Sequence, residues 1–213
     1  MKKKKEQLLE KIAKEPWLNL SEQLELFELP PADTKELLFE YFKKEDLFLE
    51  PELKIFTLPT EMVRDVLLEY ISYKYDFFPE TEEKIFSLPP EMAKEILLEY
   101  IKCWSLQPEG VLTLKSELKI FSLPVEIAKE ILLEFIEFWE LSHEAEEKIF
   151  SLPPEIAKEI LLKYFDITSL CQKDELKILD LPAEIAREIL SKYDKKCELF
   201  PETEKRAKEL GLL

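Results

Sequence analysis

The sequence predicts an all-α protein, a right-handed α-solenoid built from short helix–Leu-Pro–helix hairpins. Three observations carry this. A Leu-Pro pair recurs six times, with its prolines at Pro30, Pro59, Pro89, Pro124, Pro153 and Pro182, at intervals of 29, 30, 35, 29 and 29 residues. The text around each pair is nearly the same, as in Glu146 to Tyr164. A fixed period in this range is the signature of a stacked helical array. Only two glycines occur among 213 residues, Gly110 and Gly211. That excludes the glycine-dependent phosphate loops of nucleotide-binding folds and the turns of ankyrin repeats.

Taken in order, residues 1–20 read as an N-terminal half-repeat cap, with Leu8, Leu9 and Ile12 at helical spacing behind a lysine run. Six hairpins follow over residues 21–198, and residues 199–213 form a C-terminal cap, all in one array. Each hairpin has a short helix A before the Leu-Pro pair and a longer helix B after it. Thr81, Ser116 and Asp174, each followed by Glu, stand where the N-cap of helix A is expected. Leucine before proline is pushed into extended backbone and ends helix A. Proline then opens helix B, where its missing N–H costs nothing.

Counted from that proline, apolar residues of helix B recur at +3, +4, +7, +8, +11 and +12, with Leu usually added at +9. This covers more than half the circumference and requires neighbours on both sides. Alanine at +4 in Ala93, Ala128, Ala157 and Ala186 leaves room for close approach of the next helix. The linkers carry aromatic and leucine side chains that plug the seam between hairpins, including Tyr73, Trp104 and Trp139. One linker, Cys103 to Lys115, is longer than the rest. The stretch from Leu199 to Lys205 echoes Phe77 to Glu83 and begins a truncated seventh repeat, in which Arg206 and Lys208 supply a polar end.

The motif Leu-Pro-x-Glu-Ile-x-x-x-Ile-Leu, at Leu152 to Leu161, resembles the opening of an F-box, and that resemblance implies a ubiquitin-ligase adaptor. The whole chain resembles the broad class of α-solenoids to which HEAT and tetratricopeptide arrays belong, and this implies a scaffold for other proteins.

The formal net charge is −16, from 46 acidic and 30 basic residues, which argues against a general nucleic-acid binder. Three cysteines without paired spacing read as free thiols in a reducing compartment. Neither a secretory signal nor a membrane span is visible, so a cytoplasmic protein is expected. The sole histidine, His143, and the cysteines lie in four different linkers, so neither a metal site nor a cofactor is expected, and no catalytic constellation stands out.

One pattern points to binding. Positions +2, +6 and +10 of helix B share a narrow polar face, and in repeats two to four all are acidic: Glu61, Asp65, Glu69; Glu91, Glu95, Glu99; Glu126, Glu130, Glu134. Such a row destabilises its own helix slightly. The expected function is a non-enzymatic scaffold that binds a basic protein or peptide along this face, with Tyr73, Trp104 and Trp139 at its edge; an enzyme accessory or hydrolase using the 103–115 linker is the alternative. If stability is a sum over repeats, deleting residues 119–147 should leave a folded helical protein. Circular dichroism and thermal melting check this: a collapsed helical signal without cooperative unfolding would contradict the array.

Overall fold

The computed structural model describes residues 2–15, 17–73, 76–104, 112–193, 195 and 198–213, with the side chain of Lys2 excepted. Residues 105–111 of the long linker, and Cys197, lie outside the described residues. Fourteen α-helices and one 3-10 turn are present, and no strand occurs among the described residues. The fold is all-α, as the period predicts.

Two compact units divide the chain, Met1–Thr113 and Leu114–Leu213. The first holds α1 (Lys2–Lys14), α2 (Leu20–Leu26), α3 (Pro31–Phe42), α4 (Leu49–Lys54), α5 (Thr60–Tyr73), α6 (Pro79–Ile85) and α7 (Pro90–Trp104). Helix α4 continues into the 3-10 turn Ile55–Thr57. The second unit holds α8 (Leu114–Ile120), α9 (Val125–Phe135), α10 (His143–Ile149), α11 (Pro154–Tyr164), α12 (Gln172–Ile178), α13 (Ala183–Tyr193) and α14 (Pro201–Glu209). Like helices meet within each unit. The B helices α3, α5 and α7 pack in sequence behind α1, while α2, α4 and α6 form the A layer. In the second unit α9, α11 and α13 form the B layer, with α8 against α10 and α12 against α14.

Burial follows the apolar register. In the fifth repeat Ile156, Ala157, Ile160, Leu161, Tyr164 and Phe165 are all buried, and the +4 alanines are fully enclosed. In the first repeat Thr34 takes the alanine position and gives its hydroxyl to the carbonyl of Leu26 at 2.7 Å. The +9 leucines, such as Leu68 and Leu162, are only half-buried and border the exposed face. The linker plugs are real but divided: Leu47, Phe77 and Leu199 are buried, while Phe48, Phe78 and Phe200, each one residue later, are exposed.

Helix boundaries differ from expectation in two places. Leu58 is extended before its proline, as predicted, with φ −72° and ψ 163°. Proline itself, however, is the N-cap rather than the first helical residue: Pro153 has ψ 136°, and its carbonyl accepts from Ala157 N–H at 3.0 Å. Thr81, Ser116 and Asp174 are not N-caps. They are the third residues of α6, α8 and α12 and are fully buried. The caps of α6 and α12 are Phe78 and Cys171, neither of which makes a side-chain capping bond, so residue type gave no cap signal there.

The cap of α6, like four others, uses instead a buried acceptor that lies seven residues before a Leu-Pro proline. Gln23 Oε1 accepts from Phe48 N–H at 2.8 Å, and Glu52 Oε1 from Phe78 N–H at 3.1 Å. Glu82 accepts from Thr113 N–H at 3.2 Å, Glu117 from Ser142 N–H at 2.8 Å, and Glu175 from Phe200 N–H at 3.0 Å. The same side chain meets the +11 tyrosine of its own helix B: Gln23 donates to Tyr41 at 2.9 Å, while Tyr70 donates to Glu52 at 3.1 Å and Tyr164 to Glu146 at 2.6 Å. Each acid also sits in the first turn of helix A, where negative charge suits the helix dipole.

The ends are closed differently. Lys4 reaches Glu28 at 2.6 Å, and Lys5 reaches Asp33 at 2.8 Å and Glu36 at 2.7 Å, so these two members of the lysine run are paired to the first repeat. At the other end Gly211 has φ +66°, with Gly211 N–H on Lys208 O at 3.1 Å and Leu212 N–H on Ala207 O at 2.9 Å. This is the left-handed closure that glycine permits after a helix.

Burial pushes the Glu52 carboxyl up to about 7 and raises that of Glu117 as well. A carboxyl whose folded pKa lies above its unfolded value of 4.5 stabilises the fold fully below that value. The contribution is lost as pH rises from there through about 7, a change of about 3 kcal/mol for Glu52. Gln23 shows that an amide fills this position. Glu52→Gln should therefore be more stable than the parent above pH 7, by up to about 3 kcal/mol, with the gain shrinking towards pH 4.5. Urea unfolding of both chains across that range checks it, and a difference independent of pH would contradict it.

Candidate functional site

The exposed side of the B layer carries the acidic row that the sequence singles out. In the first unit α3, α5 and α7 lie side by side, and the +6 and +10 residues of α5 and α7 line one groove with the +5 and +9 residues of α3. The groove has a volume of about 420 Å³ and is bounded by Lys35, Phe39, Asp65, Leu68, Glu69, Ser72, Glu95 and Glu99. Phe39 and Leu68 are +9 residues, so a half-buried apolar strip runs between the carboxylates.

Not all of those carboxylates are unbalanced. Lys35, at +5 of the first repeat, meets Asp65 at +6 of the second at 2.5 Å, and Arg64 meets the other oxygen of Asp65 at 3.0 Å. The Lys35 ammonium, then the Arg64 guanidinium, hold the Asp65 carboxyl below its ordinary range. The same bond recurs in the second unit, where Lys129 meets Glu159 and Lys158 meets Glu188, each at 3.3 Å. These lysines also reach back to the +2 acid of their own helix, Lys129 to Glu126 at 3.0 Å and Lys158 to Glu155 at 2.8 Å. The +5 cations therefore do not stand apart at one edge of the face. They knit +2 of one helix to +6 of the next.

This lattice leaves the +10 row. Among the described residues no cation lies within ion-pairing distance of Glu69, Glu99 or Glu134. In repeats five and six +10 is lysine, and Lys163 and Lys192 pair with Glu137 and Asp166. The structure thus brings Asp65, Glu69, Glu95 and Glu99 to one groove and sets Glu61 and Glu91 at the exposed start of their helices. Glu126, Glu130 and Glu134 belong to the second unit. Of the aromatics, Tyr73 is exposed and Trp104 half-buried, whereas Trp139 is buried against Phe135 and Phe138 and presents no ring at the surface.

Two further features escaped the sequence reading. On the A layer of the first unit, Leu20, Phe48, Leu49, Leu53 and Phe78 line an apolar groove of about 550 Å³. In the second unit the start of α10 meets the start of α12. There His143 Nδ1 lies 3.3 Å from Asp174 Oδ2, to which the Cys171 thiol donates at 3.1 Å. Burial, and then the bond to Asp174, push the Cys171 thiol up, so it is not activated as a nucleophile. Register could have revealed this meeting: His143 and Gln172, the residue after Cys171, are 29 positions apart, one repeat.

No helix among the described residues is long and apolar enough to cross a membrane. Comparison with protein-family models, with curated proteins and with solved structures returns no match, so the Leu-Pro half-motif identifies no family.

Proposed function

We propose that each unit is a short right-handed α-solenoid stack and that the chain is a non-enzymatic scaffold. Its first unit holds a lysine- or arginine-bearing segment of another protein in the groove between α3, α5 and α7. The observation that carries this is the unbalanced row: Lys35 and Arg64 neutralise Asp65, while among the described residues no cation pairs with Glu69 or Glu99, which border an apolar strip. A basic side chain laid there meets two or three carboxylates at once and rests its aliphatic stem on Phe39 and Leu68. Salt-sensitive attraction of this kind acts chiefly on association rate and on choice of partner. The net charge of −16 adds a long-range field of the same sign and repels nucleic acid. The strict alternation of A and B layers within each unit supports the solenoid reading.

The test uses a fluorescent lysine- and arginine-rich peptide, with a glutamate-rich peptide as control, titrated in a series of salt concentrations. Glu69→Gln/Glu95→Gln/Glu99→Gln is expected to weaken binding about tenfold, at a few tenths to 1 kcal/mol per exposed pair, and to flatten the salt slope. Glu61→Gln/Glu91→Gln, outside the groove, should change affinity little. Equal effects of the two sets, or none, would show that the groove is only solvated surface.

A further inference from the structure

The junction of α10 and α12 departs from the other junctions within the two units. Three positions meet there: the first residue of one helix A, and the cap and third residue of the next. Read along the sequence, the same positions hold Leu20, Phe48 and Pro51, then Leu49, Phe78 and Thr81, in the first unit. In the second they hold Leu114, Ser142 and Ala145; His143, Cys171 and Asp174; and Gln172, Phe200 and Thr203. Four sets are apolar or neutral. One combines an imidazole, a thiol and a carboxylate, and it contains the only histidine of the chain.

We propose that His143, Cys171 and Asp174 form a binding site for a borderline divalent transition-metal ion of the zinc type. A tetrahedral ion at about 2.0–2.3 Å from nitrogen, oxygen and sulfur ligands sets those ligands about 3.3–3.6 Å apart. Asp174 Oδ2 is 3.3 Å from His143 Nδ1 and 3.1 Å from Cys171 Sγ, and the three ligand atoms all lie within 4.8 Å of one another. The side chains thus reach a coordination triangle with small rotations of exposed groups. Imidazole and thiolate select zinc-like ions over magnesium and calcium, which prefer oxygen alone.

The surroundings fit a metal better than they fit a bare cluster. Asp174 is fully buried, where the corresponding residues of other repeats are neutral. Lys177 meets its Oδ1 at 2.8 Å, which leaves Oδ2 as the atom turned to His143 and Cys171. Glu146 Oε2 lies 3.5 Å from His143 Nδ1, while Tyr164 holds its Oε1. Glu147, near His143 Nε2 at 3.9 Å, is taken up by Lys173 and Lys177. The anionic oxygens and the thiolate offset the unfavourable positive ends of two short helices. Binding moves the thiol proton from Cys171 to solvent, and the sulfur lone pair forms the bond to the ion. His143 and Cys171 are exposed, so a fourth position stays open to water. The ion clips two consecutive A helices of the second unit.

Cobalt(II) is the probe, added to the intact chain under reducing conditions and followed by absorbance, with zinc(II) as competitor. One ion per chain is expected, with a thiolate-to-cobalt charge-transfer band, tetrahedral d–d absorption and displacement by zinc. Cys171→Ser and His143→Gln should each weaken binding at least about 100-fold without loss of far-ultraviolet circular dichroism. Cys103→Ser should leave the spectrum unchanged. Absence of the charge-transfer band in the parent chain, or its survival in both site variants, would overturn the proposal.

Discussion

The structure depends on an unusual way of capping short helices. A helix of seven residues leaves most of its backbone donors without an internal partner, and here the cap is often phenylalanine. The cap N–H is met by the buried Gln or Glu of the preceding helix A, as Phe78 is by Glu52 and Phe200 by Glu175. Burying a carboxylate is costly unless its oxygens are bonded. In the first, second and fifth repeats the tyrosine at +11 bonds the same side chain, and that fixes helix A against helix B. One side chain thereby sets both the fold of a repeat and its spacing to the next. The rest of the A layer follows from this: small or polar third residues, aromatic caps and a buried plug one residue earlier.

The division of labour between layers explains where chemistry can appear. The B layer is held by a wide apolar surface, so its outer positions are free to vary in charge without loss of the fold. There, +5 cations satisfy +6 acids, and +10 is acidic in repeats two to four and basic in five and six. The A layer has less apolar surface and more obligatory polar bonds. Its cap and first residues face outwards and vary widely. That is where Phe48 and Phe78 make an apolar groove in one unit and His143 and Cys171 meet Asp174 in the other.

Much of the fold is legible in the sequence because period and apolar register are unambiguous. The B-helix core residues are buried where their spacing places them, and the extended leucine before proline follows from local sterics. The caps were not legible, because Phe78 and Phe200 draw on a distant carboxylate rather than on their own side chains. The row of nine acids was legible as composition, but not its internal balance, since Lys35 and Asp65 come from different repeats. Trp139 looked like a surface ring because linkers are usually exposed, yet it fills a seam. His143 and Cys171 looked remote because they were measured along the chain. Measured in units of the repeat they are neighbours, and any pair separated by one period is a candidate contact.

The directional form of the buried bond has a consequence for assembly. In the five repeats that show it the acceptor comes first in the chain, and the donor belongs to the cap that follows, 26 residues later for Glu52 and Phe78. During synthesis the acceptor of the newest hairpin therefore emerges before the cap that it will meet. It stays accessible to water until the next cap arrives. Each of these hairpins is thus finished by its successor and not by its predecessor. The acceptor of the sixth hairpin, Glu175, is met in this way by the cap of α14.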